Sequence, residues 1–152
     1  MTHVLDLAEG LIKEKFQPEI LFFTEGPSIE EARKRKIPAH LLIKKGIGLV
    51  FLWQFVKYLR GRQFDVLHTH TINGNFFGRI AGKLSGVPVL LTTVHSHIID
   101  ELKGLREPSI GDHIRYRIDL FFSRWNKALI VVSETIKDIL VLHGIPSNKI
   151  HT

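Results

Sequence analysis

Three short segments carry the side chains best suited to chemistry: His68-Thr69-His70-Thr71-Ile72-Asn73-Gly74, His95-Ser96-His97 and Ser133-Glu134-Thr135. Each follows directly on an apolar run, and each precedes a helical pattern. In a parallel sheet, the loops leaving the carboxyl ends of strands open on one edge, and that edge is where ligands sit. Helices beginning there add backbone N–H groups and positive dipole ends. Three converging loops of this kind suit a phosphate or a polyhydroxylated ligand.

The histidines also permit a metal reading. His68/His70 and His95/His97 are H-x-H pairs, and alternate residues on a strand share a face, so each pair could chelate an ion. Metal hydrolases with such a pair carry it on the first strand of a large barrel and add further ligands. This chain is too short for that barrel, and its pair lies in mid-sequence. The simpler alternative for His68 is a core-side histidine hydrogen-bonded to backbone; His97, His113 and His143 read as solvent-facing. A triad built from Ser133, a histidine and Asp100 or Asp119 lacks the G-x-S-x-G turn. There is no P-loop and no G-x-G-x-x-G. Nucleic acid is not an expected partner, since only net charge favours it.

The elements that must position these residues alternate. Val4, Leu5, Ala8, Leu11 and Ile12 recur at helical spacing, which predicts a helix over 3–15. Strands are expected over 19–23, 39–43, 64–68, 87–94 and 128–132, with helices between them. Ser28, Ser109 and Ser133 are expected N-caps, and Asp112 completes a capping box with Ser109. In the helix over 49–60, Leu49, Leu52, Trp53, Val56 and Leu59 form the expected core stripe, widened by Phe51, Phe55 and Tyr58. That width admits a second reading, a helix lying on a membrane surface with Lys57, Arg60 and Arg62 at its edge. In the next helix Phe76, Phe77, Ile80, Ala81 and Leu84 are expected to face the core. Gly74, Gly78 and Gly82, four apart, let it approach a neighbour closely. Ile114, Ile118, Phe121, Phe122 and Trp125 are the expected core face of the helix after Ser109. The sum is an α/β fold: a doubly wound, mostly parallel, Rossmann-like sheet in a single domain.

The bulk numbers agree. A chain of 152 residues with 44% hydrophobic and 24% charged residues can bury a real core. It has no cysteine, which removes disulfides and thiolate metal sites. The formal charge of +6 favours acidic partners such as phosphates or anionic lipid. Arg33-Lys34-Arg35-Lys36 reads as a solvated helix face. No signal peptide is visible, and no apolar run reaches the roughly 18–20 residues of a membrane span.

Three segments together carry a family resemblance: HVLDLAEGLIKEKFQPEILFFTEG (His3 to Gly26), FDVLHTHTINGNFFGRIAGKLSGVPVLLTTVHS (Phe64 to Ser96) and ALIVVSETIKDILVLHGIPSNKIHT (Ala128 to Thr152). In this order they resemble the N-terminal domain of the family-4 glycosyltransferases of GT-B fold, which are retaining and use nucleotide-sugar donors. The resemblance implies a chain truncated at both ends. The first strand of the fold and the C-terminal donor-binding domain are both expected to be missing. The absent strand would lie between Glu19–Phe23 and Phe64–His68, so a partner strand, direct pairing of those two, or poor stability is expected.

The resemblance also implies site residues. His95 would lie in the interdomain cleft near the donor sugar, with Ser96 beside it. His70, Thr71, Asn73 and Gly74 would line the acceptor side. Ser133 and Glu134 would sit at the third strand end, His3 near the first glycine-rich turn, and Arg106 would face an anionic acceptor. No metal and no cofactor are implied, since the nucleotide-sugar is a substrate. The expected partners are that donor, a glycan or lipid-linked acceptor and the missing domain or a partner chain, with peripheral membrane association as an option. The expected location is the cytoplasm or the cytoplasmic face of the membrane. The fragment alone is expected to be inactive, and the alternative role is a non-catalytic binding subunit.

Overall fold

A computed structural model describes residues 2–43, 48–95 and 109–152. Its elements run α1 Thr2–Lys13, β1 Ile20–Phe22, α2 Pro27–Lys34, β2 Ala39–Leu41, α3 Gly48–Arg62, β3 Val66–Thr69 and α4 Ile72–Ser85. They continue with β4 Val89–Val94, α5 Ile110–Ser123, β5 Ala128–Val131, α6 Glu134–Leu142, a 3-10 turn Ser147–Lys149 and β6 Ile150–His151. The predicted alternation is what forms, and every strand pair is parallel. The chain divides into two compact units, Met1–Phe51 and Leu52–Thr152.

In the first unit β1 pairs with β2, Ile20 opposite Ala39 and Phe22 opposite Leu41. Leu5, Ala8, Phe22, Ile29, Ala32 and Ile37 form its core. Arg35 ties α1 to α2, donating to Asp6 Oδ1 at 2.8 Å and Glu31 Oε1 at 2.9 Å. Its guanidinium is held above the ordinary arginine value by the bond to Glu31 first and to Asp6 second. Ser28 is not the cap of α2. Gly26 is the N-cap, without a side-chain bond, and Pro27 opens the helix, where its fixed φ suits the first turn.

In the second unit the sheet order is β3-β4-β5-β6. Strands in sequential order with right-handed crossovers place α4, α5 and α6 on one face of the sheet. Leu129, Val131, Ile136, Leu140, Ile145 and Ile150 pack with Tyr116 as its core. The direct pairing of β1 with β3 that the sequence left open does not occur: β1 pairs with β2, and β3 ends its own sheet.

The helix ends follow their local chemistry. Ser109 and Asp112 form the expected capping box, and Ser133 Oγ accepts from Ile136 N. Gly86 (φ 76°) closes α4 in the left-handed region, as a C-cap glycine should.

The helix faces follow the expectation only in part: Phe51, Phe55 and Leu59 of α3 and Ala81 of α4 are buried as expected, and most of the other expected core residues are not. In α3 the buried residues are Phe51, Phe55 and Leu59, while Leu49 is 76% and Trp53 63% exposed. In α4 they are Asn75, Gly78, Arg79, Ala81 and Gly82, with Phe76, Phe77 and Ile80 only half-buried. In α5 they are Tyr116, Leu120 and Ser123, with Ile114, Ile118 and Phe121 exposed. Each helix carries apolar residues on two faces, and shape complementarity to the sheet selects between them.

Helix α4 shows this selection most directly. A Cβ on Gly78 would lie 2.5 Å from Thr69 Cγ2, and one on Gly82 2.5 Å from Leu90 Cδ2 and 2.9 Å from Leu67 Cδ2. Only the glycine face can come this close to β3 and β4. Thr69 is buried, β-branched and hydrogen-bonded to Thr92, so it cannot yield, whereas leucine methyls can rotate away. Gly78→Ala should therefore destabilise by about 1–3 kcal/mol from overpacking, exceeding the roughly 1 kcal/mol gained in helix propensity. Gly82→Ala should cost less. Urea midpoints of the two variants check the order, and a parent-like midpoint for Gly78→Ala would refute the close approach.

Candidate functional site

Strands β3, β4 and β5 bring their carboxyl ends to one edge. Thr69 lies opposite Thr92 and Val94 opposite Val131, so His70, His95 and Ser133 follow at neighbouring strand ends. The histidine rings form a row: His68 and His70 have centroids 4.4 Å apart, and His70 and His95 5.9 Å apart, both pairs tilted by 32°. His95, at the end of β4, is exposed, while His68 and His70 are half-buried. His68 Nε2 lies 2.8 Å from Thr93 Oγ1. One partner of His68 is thus a side chain on the next strand. His143, expected to face solvent, is half-buried, with Nδ1 2.8 Å from Ile139 O.

Thr71 turns the chain from β3 into α4. Its φ is 65°, in the left-handed region that a β-branched residue seldom adopts. Strain of this kind costs about 1–3 kcal/mol and persists where the surroundings over-determine the backbone. Thr71 Oγ1 accepts from Gly74 N at 3.4 Å, and a Cβ on Gly74 would lie 3.3 Å from that oxygen. Asn73 is exposed, and its Oδ1 accepts from Arg115 Nη2 at 2.9 Å, which ties the turn to α5. Ser133 caps α6. Glu134 is exposed and accepts from Lys137 Nζ at 2.9 Å. Hydrogen bonds from Lys137 first and Thr152 second hold its carboxyl below the usual range, so it stays ionised until pH falls through that lowered value. His3 is exposed on α1 in the first unit. Ser96, His97, Asp100 and Arg106 lie outside the described residues.

Beneath the edge is a polar network that sequence reasoning missed. Arg79 is 1% exposed. It is ion-paired to Asp119 Oδ1, and its Nε donates to Thr92 Oγ1 at 3.3 Å. Asn75 Nδ2 donates to Thr93 O at 3.1 Å, and Thr69 Oγ1 lies 2.7 Å from Thr92 Oγ1. The network locks α4, β4 and α5 directly below the histidine row. The signal was present: Asn75 and Arg79 share the helix face of Gly78 and Gly82, which alone fits against the sheet. A cavity of about 40 Å³ bounded by Asn75, Arg79, Tyr116 and Asp119 is large enough for a water molecule and too small for a sugar.

Among the described residues no cluster of three or more histidine, aspartate or glutamate side chains is arranged to hold a metal ion. What the edge offers is an exposed imidazole with a second ring beside it, and two helix N-termini. These groups can donate hydrogen bonds to hydroxyl or phosphate oxygens.

The family model described as Glycosyltransferase Family 4 matches residues 2–152. The curated UDP-Gal:alpha-D-GlcNAc-diphosphoundecaprenol alpha-1,3-galactosyltransferase of Escherichia coli is 37% identical over 62 residues, covering 41% of this chain and 15% of that protein. Among solved structures, Anabaena HepE in complex with UDP superposes with a TM-score of 0.72 at 14% identity, over 96% of this chain and 39% of that one. The apo lipopolysaccharide outer core galactosyltransferase WaaB superposes with a TM-score of 0.61 at 12% identity, over 97% of this chain and 41% of that one. At these identities the superpositions establish a shared Rossmann-like fold. The chain spans about two-fifths of either solved chain.

Proposed function

This chain belongs to glycosyltransferase family 4, and from that premise we propose that it is the acceptor-side half of a retaining glycosyltransferase. The enzyme would move a sugar from a nucleotide-sugar to a glycan or lipid-linked acceptor. The observation that carries the reading is the exposed His95 at the end of β4, in a row with His70 and His68. In this reading the His95 imidazole hydrogen-bonds a hydroxyl or phosphate oxygen of the donor, and His70, Thr71, Asn73 and Gly74 shape the acceptor side. Ser133 and Glu134 border the same edge, and the N-termini of α4 and α6 face the charge that develops on the leaving diphosphate. The relatives favour a uridine diphosphate sugar: one uses UDP-Gal, and another was solved with UDP.

The reading is tested by turnover. The chain, alone and fused to the nucleotide-sugar-binding domain of a family member, is incubated with radiolabelled UDP-galactose and a polyprenyl-diphosphate-linked GlcNAc acceptor. Label should enter the lipid fraction with the fusion and not with the chain alone. If no such fusion transfers from any UDP-, GDP- or ADP-hexose to any acceptor offered, the enzyme reading fails and the binding-subunit reading takes its place.

A further inference from the structure

The cavity beneath the sheet edge carries polar atoms that have no role in the proposed transfer. Ile72, Val94, Leu120 and Ile136 supply apolar walls, and Asn75 and Arg79 supply polar ones. Both polar side chains are deeply buried, Asn75 8% and Arg79 1% exposed. Asn75 Nδ2 donates to Thr93 O at 3.1 Å. A backbone carbonyl only accepts, so that bond fixes which end of the amide is the nitrogen. Asn75 Oδ1 is the other end, and it is buried with no hydrogen-bond partner among the described residues. A buried acceptor left in this state is costly. Arg79 spends Nε on Thr92 and Nη1 on Asp119. Its Nη2 carries two further N–H groups, which meet no acceptor among the described residues.

The cavity therefore offers one unused acceptor, unused donors and apolar walls together. Its volume of about 40 Å³ is several times the minimum for one water, which leaves room for roughly four non-hydrogen atoms. It is partly open. Two of its residues place it at the edge: Ile72 follows Thr71, and Val94 precedes His95. The chemistry narrows the occupant. A carboxylate has no proton for Asn75 Oδ1 and would meet Asp119. An ammonium can accept nothing from Arg79. A hydroxyl or a water can serve both polar groups but leaves the apolar walls unfilled. An acetamido group has an N–H, a carbonyl oxygen and a methyl, one for each of the three.

We propose that this cavity receives the acetamido group of a 2-acetamido sugar whose ring lies on the sheet edge, and that this sugar is the acceptor. The acetamido N–H donates to Asn75 Oδ1, and Arg79 Nη2 donates to the acetamido oxygen. The methyl packs against Ile72, Val94, Leu120 and Ile136. Asn75 is then a specificity-determining residue, because a sugar with a hydroxyl at that carbon leaves its Oδ1 buried and unsatisfied. The inference rests on the proposed function only for which sugar carries the group: Ile72 lies between Thr71 and Asn73, which shape the acceptor side. Its readout is binding by the chain as it stands, so it and the turnover test can fail separately.

The test is saturation-transfer NMR of the chain with methyl N-acetyl-α-D-glucosaminide and with methyl α-D-glucoside, which differ only at the group in question. The acetamido sugar should bind at least roughly tenfold more tightly, with its acetyl methyl the most strongly saturated group. Asn75→Leu removes the acceptor, and Ile72→Phe, at a half-buried position, fills the cavity. Each should bring the two sugars within about threefold of one another. Ile72→Phe also keeps the test independent of the Asn75–Thr93 bond, and circular dichroism checks the fold of both variants. Equal binding of the two glycosides by the parent, or no binding of either, overturns the proposal. So does a preference that both variants keep, which leaves the cavity to water alone. A completed enzyme that prefers UDP-GlcNAc to UDP-glucose by a margin that Ile72→Phe abolishes overturns the acceptor assignment and makes the donor the source of the group.

Discussion

Replacing Arg79 with alanine is expected to lower the unfolding free energy by about 3–5 kcal/mol, because a buried charge loses its partner. For a domain stable by roughly 5–15 kcal/mol, that is a large fraction of the total. The guanidinium is enclosed between α4, β4 and α5 and reaches Asp119 and Thr92 together. Its removal leaves the Asp119 carboxylate, mostly shielded from water, without its cation, and opens a void beside the existing cavity. Arg79→Met/Asp119→Asn should lose markedly less than Arg79→Met and Asp119→Asn added together, since no unpaired charge remains. Urea denaturation of the four proteins in a double-mutant cycle measures the coupling. An Arg79→Ala variant within about 0.5 kcal/mol of the parent would show that the pair contributes nothing.

The second large effect is catalytic. In the chain completed by a donor-binding domain, His95→Ala should lower kcat by about 10–100-fold, the loss expected for one charge-assisted hydrogen bond worth roughly 1.5–3 kcal/mol. His68→Ala should behave differently. Its Nε2 bonds Thr93 across the strands, so its loss weakens the β3–β4 pairing and lowers the urea midpoint while the folded fraction keeps a near-parent kcat. Steady-state kinetics and urea melts on both variants separate the roles. A parent-like kcat for His95→Ala would remove it from the site, and a collapse of kcat in a stable His68→Ala would move the chemistry one strand over.

The two variants also show how far the site could be read from the sequence. Histidines at the end of apolar strands point to an open edge, because a parallel strand buried on both faces is largely apolar until it emerges. That places His70, His95 and Ser133 at strand ends on one edge. What supports them was legible only in part: the sequence places Asn75 and Arg79 on the glycine face of their helix, but not the residues they meet. Thr69, Asn75, Arg79, Thr92 and Asp119 come from four elements, and only their convergence makes a buried guanidinium tolerable.

By itself, then, the sequence determined the alternation of helix and strand, the capping by Ser109 and Ser133, the left-handed stop at Gly86 and the polar strand ends. Each depends on residues within one or two turns of one another, so local chemistry suffices. The inward faces of α3, α4 and α5 were decided by the tertiary structure alone. These helices are apolar on two sides, and periodicity cannot choose between two apolar sides. The choice was made by fit: glycines against Thr69 and Leu90, and Tyr116 and Leu120 into the β5 core. The larger apolar residues of the rejected faces were left to meet whatever lies outside the molecule.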